Sequence, residues 1–372
     1  MSTMLATIRT EGAFIVTAAT VAILYTFGSA WLGDLSNPLV FAGLFVWIFS
    51  VMLWSSFAAV RHADCLAELL GEPYGTLILT ISVISIEVSL ISAIMLSGNG
   101  DPALPRDTML AVLMIVLNGM VGISLLIGGL RYREQDYNLP GARAFLAVLI
   151  TLATVTLILP RYTLSTSDPS LTSSQAVLFS LVTIALYGAF LAIQTIRHTG
   201  FFMEAGPDGQ PQPEAKHLGL EHRTVPYHAV FLILTLVPIV LLSKKLAVLI
   251  DAGIIVLGAP VALGGVLVAL LVLAPEGLAA FNAAAMNHLQ RAVNICLGSA
   301  LATISLTVPA VVAISLFTDT HIVLGLDGTE MVLLVLTLVL GVMTFGGTRT
   351  NILQGVVHIV VFVVYMILIF DP

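Results

Sequence analysis

Charge is what this sequence has least of. Of its 372 residues, 14 are Lys or Arg and 21 are Asp or Glu, so charged side chains make up 9%, against about 25% in ordinary globular domains. So few charges cannot cover a soluble surface of this length, which excludes a pair of soluble domains. Cysteine is nearly absent as well: Cys65 and Cys296 are too few for a disulfide framework. A Walker loop, a Rossmann glycine pattern, a nucleophile elbow and a basic nucleic-acid patch are all missing. Residues 1–10 hold one Arg and no small-residue cleavage site behind a short apolar core, so no removable signal peptide is read. What fills the chain instead is apolar residues, 58% of the total, with a mean hydropathy of +1.06.

A helix crossing a bilayer needs about 20 mostly apolar residues. Eleven such stretches follow one another: 13–32, 38–60, 74–97, 108–130, 142–160, 174–196, 226–243, 260–285, 292–316, 330–346 and 351–370. The seventh and tenth are short, and 244–259 reads either as a re-entrant piece or as the foot of the eighth. Alternating ten-residue segments of the β-barrel kind are absent, so the expected fold is an all-α polytopic membrane protein. Basic residues set the orientation. With the N-terminus cytoplasmic, ten of them (Arg9, Arg61, Arg131, Arg133, Arg143, Arg197, Lys216, Arg223, Arg291, Arg349) fall inside, and four (Arg106, Arg161, Lys244, Lys245) fall outside. The N-terminus is therefore expected in the cytoplasm, the C-terminus outside, and the chain in the plasma (inner) membrane.

The halves repeat. Asp64-x6-Gly71-x-Pro73 returns as Asp251-x6-Gly258-x-Pro260, an offset of 187 (251 minus 64). Gly75 lies twelve residues before Glu87, and Gly264 lies twelve before Glu276, at an offset of 189. The expected organisation is an extra helix at 1–37, a five-helix repeat at 38–197, a cytoplasmic linker at 198–225, and a second five-helix repeat at 226–372. A unit of five crossings re-enters the membrane from the opposite side, so this 1 + 5 + 5 arrangement is an inverted-topology repeat, an architecture whose site lies where the halves meet.

Among the acidic residues, only Glu87 and Glu276 fall well inside these spans, and no Lys or Arg does. A charge at the centre of a spanning helix costs roughly 2.5–3.5 kcal/mol. Each carboxylate must then be protonated or paired with a cation that is not part of the protein. Burial raises a carboxylate pKa and a bound cation lowers it, so proton and cation compete for the same oxygens. Pro275 frees a backbone carbonyl beside Glu276, of the kind a hard cation accepts. Around Glu87 runs a hydroxyl-rich stretch, Thr80, Ser82, Ser85, Ser89 and Ser92, whose serines cap helix backbone more often than they bind ions. Asn118-Gly119, Asn294, Gly298-Ser299 and Thr303 supply neutral oxygens and close helix approach. His358, four residues after Gln354 on one helix face, is either a proton relay or a packed neutral ring donating to a backbone carbonyl. His198, His217, His222 and His228 suggest a pH sensor or an incidental metal site, with solvated loop residues as the favoured reading.

GEPYGTLILTISVISIEVSLISAIMLSG (71–98) and PEGLAAFNAAAMNHLQRAVNICLGSALATISLTVP (275–309) resemble the two core repeats of the calcium/proton (cation/H+) antiporter family, in its bacterial ChaA-type branch. NGMVGISLLIGGLR (118–131) and TNILQGVVHIVVF (350–362) extend the resemblance, which runs from about residue 60 to the end. It implies exchange of cytoplasmic Ca2+, or Na+ and K+ in some members, for external protons, with one essential Glu from each repeat at Glu87 and Glu276. By the same match Asn118 and Ser299 would lie near the ion; Thr303 is counted with them only as a neutral oxygen of the ninth helix, where the motif departs from that of eukaryotic relatives. The Gly-Asn that the wider family carries upstream of each Glu is replaced by Val83-Ile84 and Val272-Leu273. The acidic run found in many relatives' central loop is reduced here to the scattered Glu204, Asp208, Glu214 and Glu221.

The expected partners are small inorganic cations, protons and the lipid bilayer, with no cofactor, since Ca2+, Na+ or K+ and H+ are cargo. A Na+ or K+/H+ antiporter of the same fold is the nearest alternative. An intramembrane enzyme using the two Glu as acid and base needs a nucleophile or metal triad within the spans, and none is found. A channel would conduct without proton coupling.

Overall fold

The computed structural model describes residues 10–71, 74–96, 101–205, 211–212 and 223–371. Arg9, Pro73, Lys216, His217, His222 and most of the central linker lie outside the described residues. The described chain is dominated by helices: α1 (Gly12–Thr26), α2 (Pro38–Leu70), α3 (Tyr74–Met95), α4 (Leu104–Tyr132), α5 (Leu139–Tyr162), α6 (Ser173–Arg197), α7 (Val225–Leu257), α8 (Ala262–Ala285), α9 (Leu289–Thr318), α10 (Gly328–Thr344) and α11 (Ile352–Phe370). Among the described residues, nine are long and apolar enough to cross a membrane, while α1 and α10 are shorter apolar helices. The stretch expected at 13–32 is interrupted after Thr26 and resumes as the short turn Gly28–Leu32.

Local chemistry sets most helix ends. Asn37 caps α2 by accepting from the Leu39 N–H at 3.0 Å, with Pro38 in the first helical turn. Capping boxes open α6 (Thr172 with Gln175), α10 (Asp327 with Glu330) and α11 (Asn351 with Gln354). Gln354 therefore serves the helix start. Glycines in the left-handed half of φ space close α2 and α7, Gly71 at φ 67° and Gly258 at φ 60°.

One expectation is corrected in length. The seventh span is not short, and 244–259 is neither re-entrant nor the foot of α8: α7 runs unbroken for 33 residues to Leu257. Lys244, Lys245 and Asp251 accordingly sit in a helix and not in a loop. Charged side chains lower the apolar signal without breaking a helix, since Lys is a good helix former. At about 50 Å, α7 exceeds the ~30 Å hydrocarbon layer, and its charged stretch can extend to the interface. The same holds for α2, also 33 residues long, whose later part carries Arg61, Asp64 and Glu68. The two helices start 187 residues apart (225 minus 38) and their closing glycines are separated by the same 187 (258 minus 71).

The chain forms two compact units, each drawing on both halves of the sequence. The first comprises the described residues of 1–101 and 217–275, and the second those of 102–216 and 276–372. In the first, α7 packs along α2, α3 lies against both, and α1 docks on α2 and α7. In the second, α9 packs against α5 and α6, and α11 lies along α4. A short antiparallel ribbon in the second unit, β1 (Glu134–Asp136) with β2 (Arg349–Asn351), joins the end of α4 to the start of α11. Arg349 fastens it through Asp136 at 2.8 Å and Glu134 at 3.4 Å. Beside it, the Tyr137 hydroxyl donates to the Gly347 carbonyl, and burial pushes the phenol up to about 12.

Candidate cation site

In the first unit, Glu87 occupies the middle of α3 and is 1% exposed. The serines around it bond the helix backbone: Ser82 and Ser85 donate to the carbonyls four residues back, Ile78 and Ile81, each at 2.6 Å. Ser89 does the same to Ser85, and Ser92 to Val88. Their hydrogens are committed to the helix, as the expectation for hydroxyls in an apolar span requires.

In the second unit, Glu276 follows the buried Pro275 within α8 and is itself half-buried. Proline there leaves the carbonyl four residues earlier, Leu271, without its helical donor. On α9, half-buried Ser299 and buried Thr303 are one turn apart on a single face. Asn294 is used otherwise: its amide oxygen accepts from Gln290 and its nitrogen donates to the Phe202 carbonyl, at 2.8 and 2.6 Å. It anchors the chain that follows α6.

Asn118 is fully buried in α4, inside a π-helical stretch, Ile115–Met120. There the Val121 N–H bonds five residues back, to Val116. Such a turn inserts an extra residue and rotates the side chains that follow, a feature common at functional sites. The Asn118 amide nitrogen donates to Thr337 Oγ1 on α10 at 2.8 Å, and its oxygen lies 3.1 Å from His358 Nδ1 on α11. His358, 1% exposed, meets Thr344 Oγ1 through Nε2 at 2.9 Å. The helices approach closely because Gly122 and Gly355 face one another. A Cβ on Gly355 would sit 2.7 Å from the Leu126 N and 2.9 Å from the Gly122 carbonyl oxygen. The structure thus brings Asn118 and His358 together in the second unit, which also holds Glu276, Ser299 and Thr303, while Glu87 belongs to the first.

A second polar cluster, in the first unit, has no signature in the sequence. Glu11, 3% exposed, accepts from Arg61 at 3.1 Å, from His62 Nε2 at 3.0 Å and from the Tyr227 hydroxyl at 2.6 Å. His62 Nδ1 lies 3.1 Å from His228 Nδ1, and the Arg223 N–H donates to His228 Nε2 at 3.2 Å. With Nε2 accepting, a neutral His228 carries its proton on Nδ1 and gives it to His62, whose own proton then points at Glu11. His228 is therefore not a solvated loop residue: it is buried at the start of α7. Among the described residues, no group of three or more His, Cys, Asp or Glu side chains is arranged to hold a metal ion.

The model of the family described as sodium/calcium exchanger protein matches residues 40–196 and again 227–370. The chain is 42% identical over 319 residues, 86% of each protein, to the sodium-potassium/proton antiporter ChaA of Escherichia coli (strain K12). It is 23% identical over 248 residues, 67% of this chain and 70% of the relative, to the Ca(2+)/H(+) antiporter ChaA of Bacillus subtilis (strain 168). The solved structure of native YfkE shares the fold at a TM-score of 0.71 and 20% identity, covering 97% of this chain and all of that one. With more than half of its length matched, the chain belongs to the sodium/calcium exchanger family of membrane antiporters, in its bacterial ChaA-type branch.

Proposed function

We propose that the protein exchanges a cytoplasmic cation for external protons by alternating access, with Glu87 and Glu276 as the groups for which cation and proton compete. The observation that carries this reading is a pair of carboxylates within two apolar helices at repeat-related positions, Glu87 buried in α3 and Glu276 directly after Pro275 in α8. The equal lengths and 187-residue spacing of α2 and α7 support the repeat, as does the matching of one family model to each half in turn. In the cytoplasm-facing state the carboxylates take the cation; in the outward-facing state they release it and take protons. Asn118, Ser299 and Thr303 add neutral oxygens. The N-terminus is cytoplasmic and the C-terminus external, in the inner membrane.

Two carboxylates neutralise one divalent ion, which favours Ca2+. They equally suit one monovalent ion with one proton retained, and the 42% identity to a protein named as a sodium-potassium/proton antiporter favours that second reading. Everted vesicles with an acid lumen and a pH dye separate them. Ca2+, Na+ and K+ are added singly, and the cargo ion alone releases lumenal protons. Glu87→Gln and Glu276→Gln each abolish the response. Proton release by none of the three ions, or full exchange by both variants, would overturn the reading.

A further inference from the structure

The Asn118 side chain is held at both ends by residues the exchange chemistry does not otherwise use. Its nitrogen has two hydrogens and two acceptors: Thr337 Oγ1 at 2.8 Å and, more weakly, Met114 Sδ at 3.7 Å. Thr337 in turn lies 3.4 Å from the same sulfur through its own hydroxyl, so its oxygen faces Asn118 as an acceptor. The amide oxygen accepts one hydrogen bond, from His358 Nδ1 at 3.1 Å. An amide oxygen carries two lone pairs, so one stays available.

His358 can hold that oxygen only in one tautomer. A neutral ring has one donor and one acceptor; with Nδ1 donating to Asn118, and sharing that hydrogen with the Leu117 backbone carbonyl, Nε2 accepts from Thr344 Oγ1 at 2.9 Å. The Thr344 backbone carbonyl, in turn, accepts from Gln354 Nε2 at 3.3 Å. All four side chains of this series, Thr337, Asn118, His358 and Thr344, are at most 1% exposed. The Gly122–Gly355 crossing and the β1–β2 ribbon fix α11 against α4, and with it the donor.

We propose that His358 and Thr337 are positioning residues for the cation site: they fix the Asn118 amide with its oxygen half-engaged and presented as a neutral ligand. Without them the amide can turn over and offer its NH2, a donor that repels a cation. In this assignment His358 is a fixed neutral donor and not the carrier of the exchanged proton. The inference rests on the reading of Asn118 as part of the cation site.

The test uses the full chain in proteoliposomes, with Ca2+, Na+ and K+ added singly, reading half-saturating cation concentration and maximal rate across pH. His358→Leu and Thr337→Val are each expected to raise the half-saturating concentration roughly tenfold, the equivalent of one buried hydrogen bond, with the maximal rate changed less than about twofold. His358→Asn, which places an amide donor near the Nδ1 position, is expected to recover most of the loss, and the pH profile is expected to stay in place. Thr337→Val keeps the side-chain shape, so it carries the test even where His358→Leu does not fold. An unchanged half-saturation in Thr337→Val, no recovery in His358→Asn, or a pH profile displaced by about one unit would each overturn the proposal. The parent reading fails separately. If Glu87→Gln and Glu276→Gln retain exchange, or Asn118→Ala leaves half-saturation unchanged, the site itself is misassigned. If those variants behave as expected and the His358 and Thr337 variants do not, only the positioning role falls.

Discussion

Glu11 gathers three side chains of the first unit onto one carboxylate. It receives Arg61 and His62 from α2 and Tyr227 from α7, and so ties the start of α1 to both long helices. Removing one partner from a buried charged network strands the others, at a cost of about 3–5 kcal/mol. Glu11→Ala is therefore expected to lower the thermal unfolding midpoint in detergent by several degrees and to expose the α1 segment to protease. Tyr227→Phe, which deletes one hydroxyl donor, is expected to cost only about 1 kcal/mol. Equal midpoints for wild type and Glu11→Ala would contradict the docking described. This cluster was illegible in the sequence because its members lie 51 and 166 positions apart, with no periodicity to connect them. Glu87 and Glu276 were legible for the opposite reason: a lone carboxylate in an apolar run stands out without knowledge of its neighbours. His358 stood between these cases. Its helix face could be read from Gln354, but its partner Asn118 is 240 residues away, and Gln354 turned out to belong to the capping box.

At the scale of elements, the contact that positions the second unit's polar chain is the crossing of α4 and α11. Gly122 and Gly355 allow it, and the Glu134–Asp136 ribbon with Arg349–Asn351 sets its register. Valine at Gly355 meets backbone atoms of α4, which cannot rotate away as a side chain can. Overpacking of this kind costs typically 1–3 kcal/mol, and displacing α11 also withdraws His358 from Asn118. Gly355→Val is expected to fold less stably and to lose most of its exchange, whereas Gly188→Ala in α6, where a Cβ meets nothing within 4 Å, is expected to leave both unchanged. Exchange at the wild-type rate in Gly355→Val would show that the close crossing does not matter. The start of α2 at Pro38 was placed from the chain, whereas the end signals Asp327-x-x-Glu330 and Gly258 act on helix ends that lie outside the expected spans 330–346 and 226–243. The continuity of α7 was not readable, since Lys244, Lys245 and Asp251 interrupt an apolar pattern without interrupting a helix.

At the scale of the molecule, neither compact unit corresponds to one half of the sequence: α2 and α3 join α7 in the first, and α4 to α6 join α9 to α11 in the second. Spans and repeat motifs can be read along the chain, but the grouping of helices depends on packing between segments more than a hundred residues apart. The loop charges make a separate prediction about orientation. Single cysteines at His198 and Asp371, introduced after replacing Cys65 and Cys296, are expected to react with an impermeant thiol reagent from opposite sides, the first from the cytoplasm and the second from outside. Labelling of both from one side would contradict an odd number of crossings. The central claim, that two intramembrane carboxylates exchange a cation for protons, is met most directly by lumenal pH in everted vesicles. With wild-type protein, adding the cargo cation is expected to release protons from the acid lumen, and Glu87→Gln or Glu276→Gln to abolish that release while leaving the protein folded in the membrane. Undiminished release in both folded variants would contradict it.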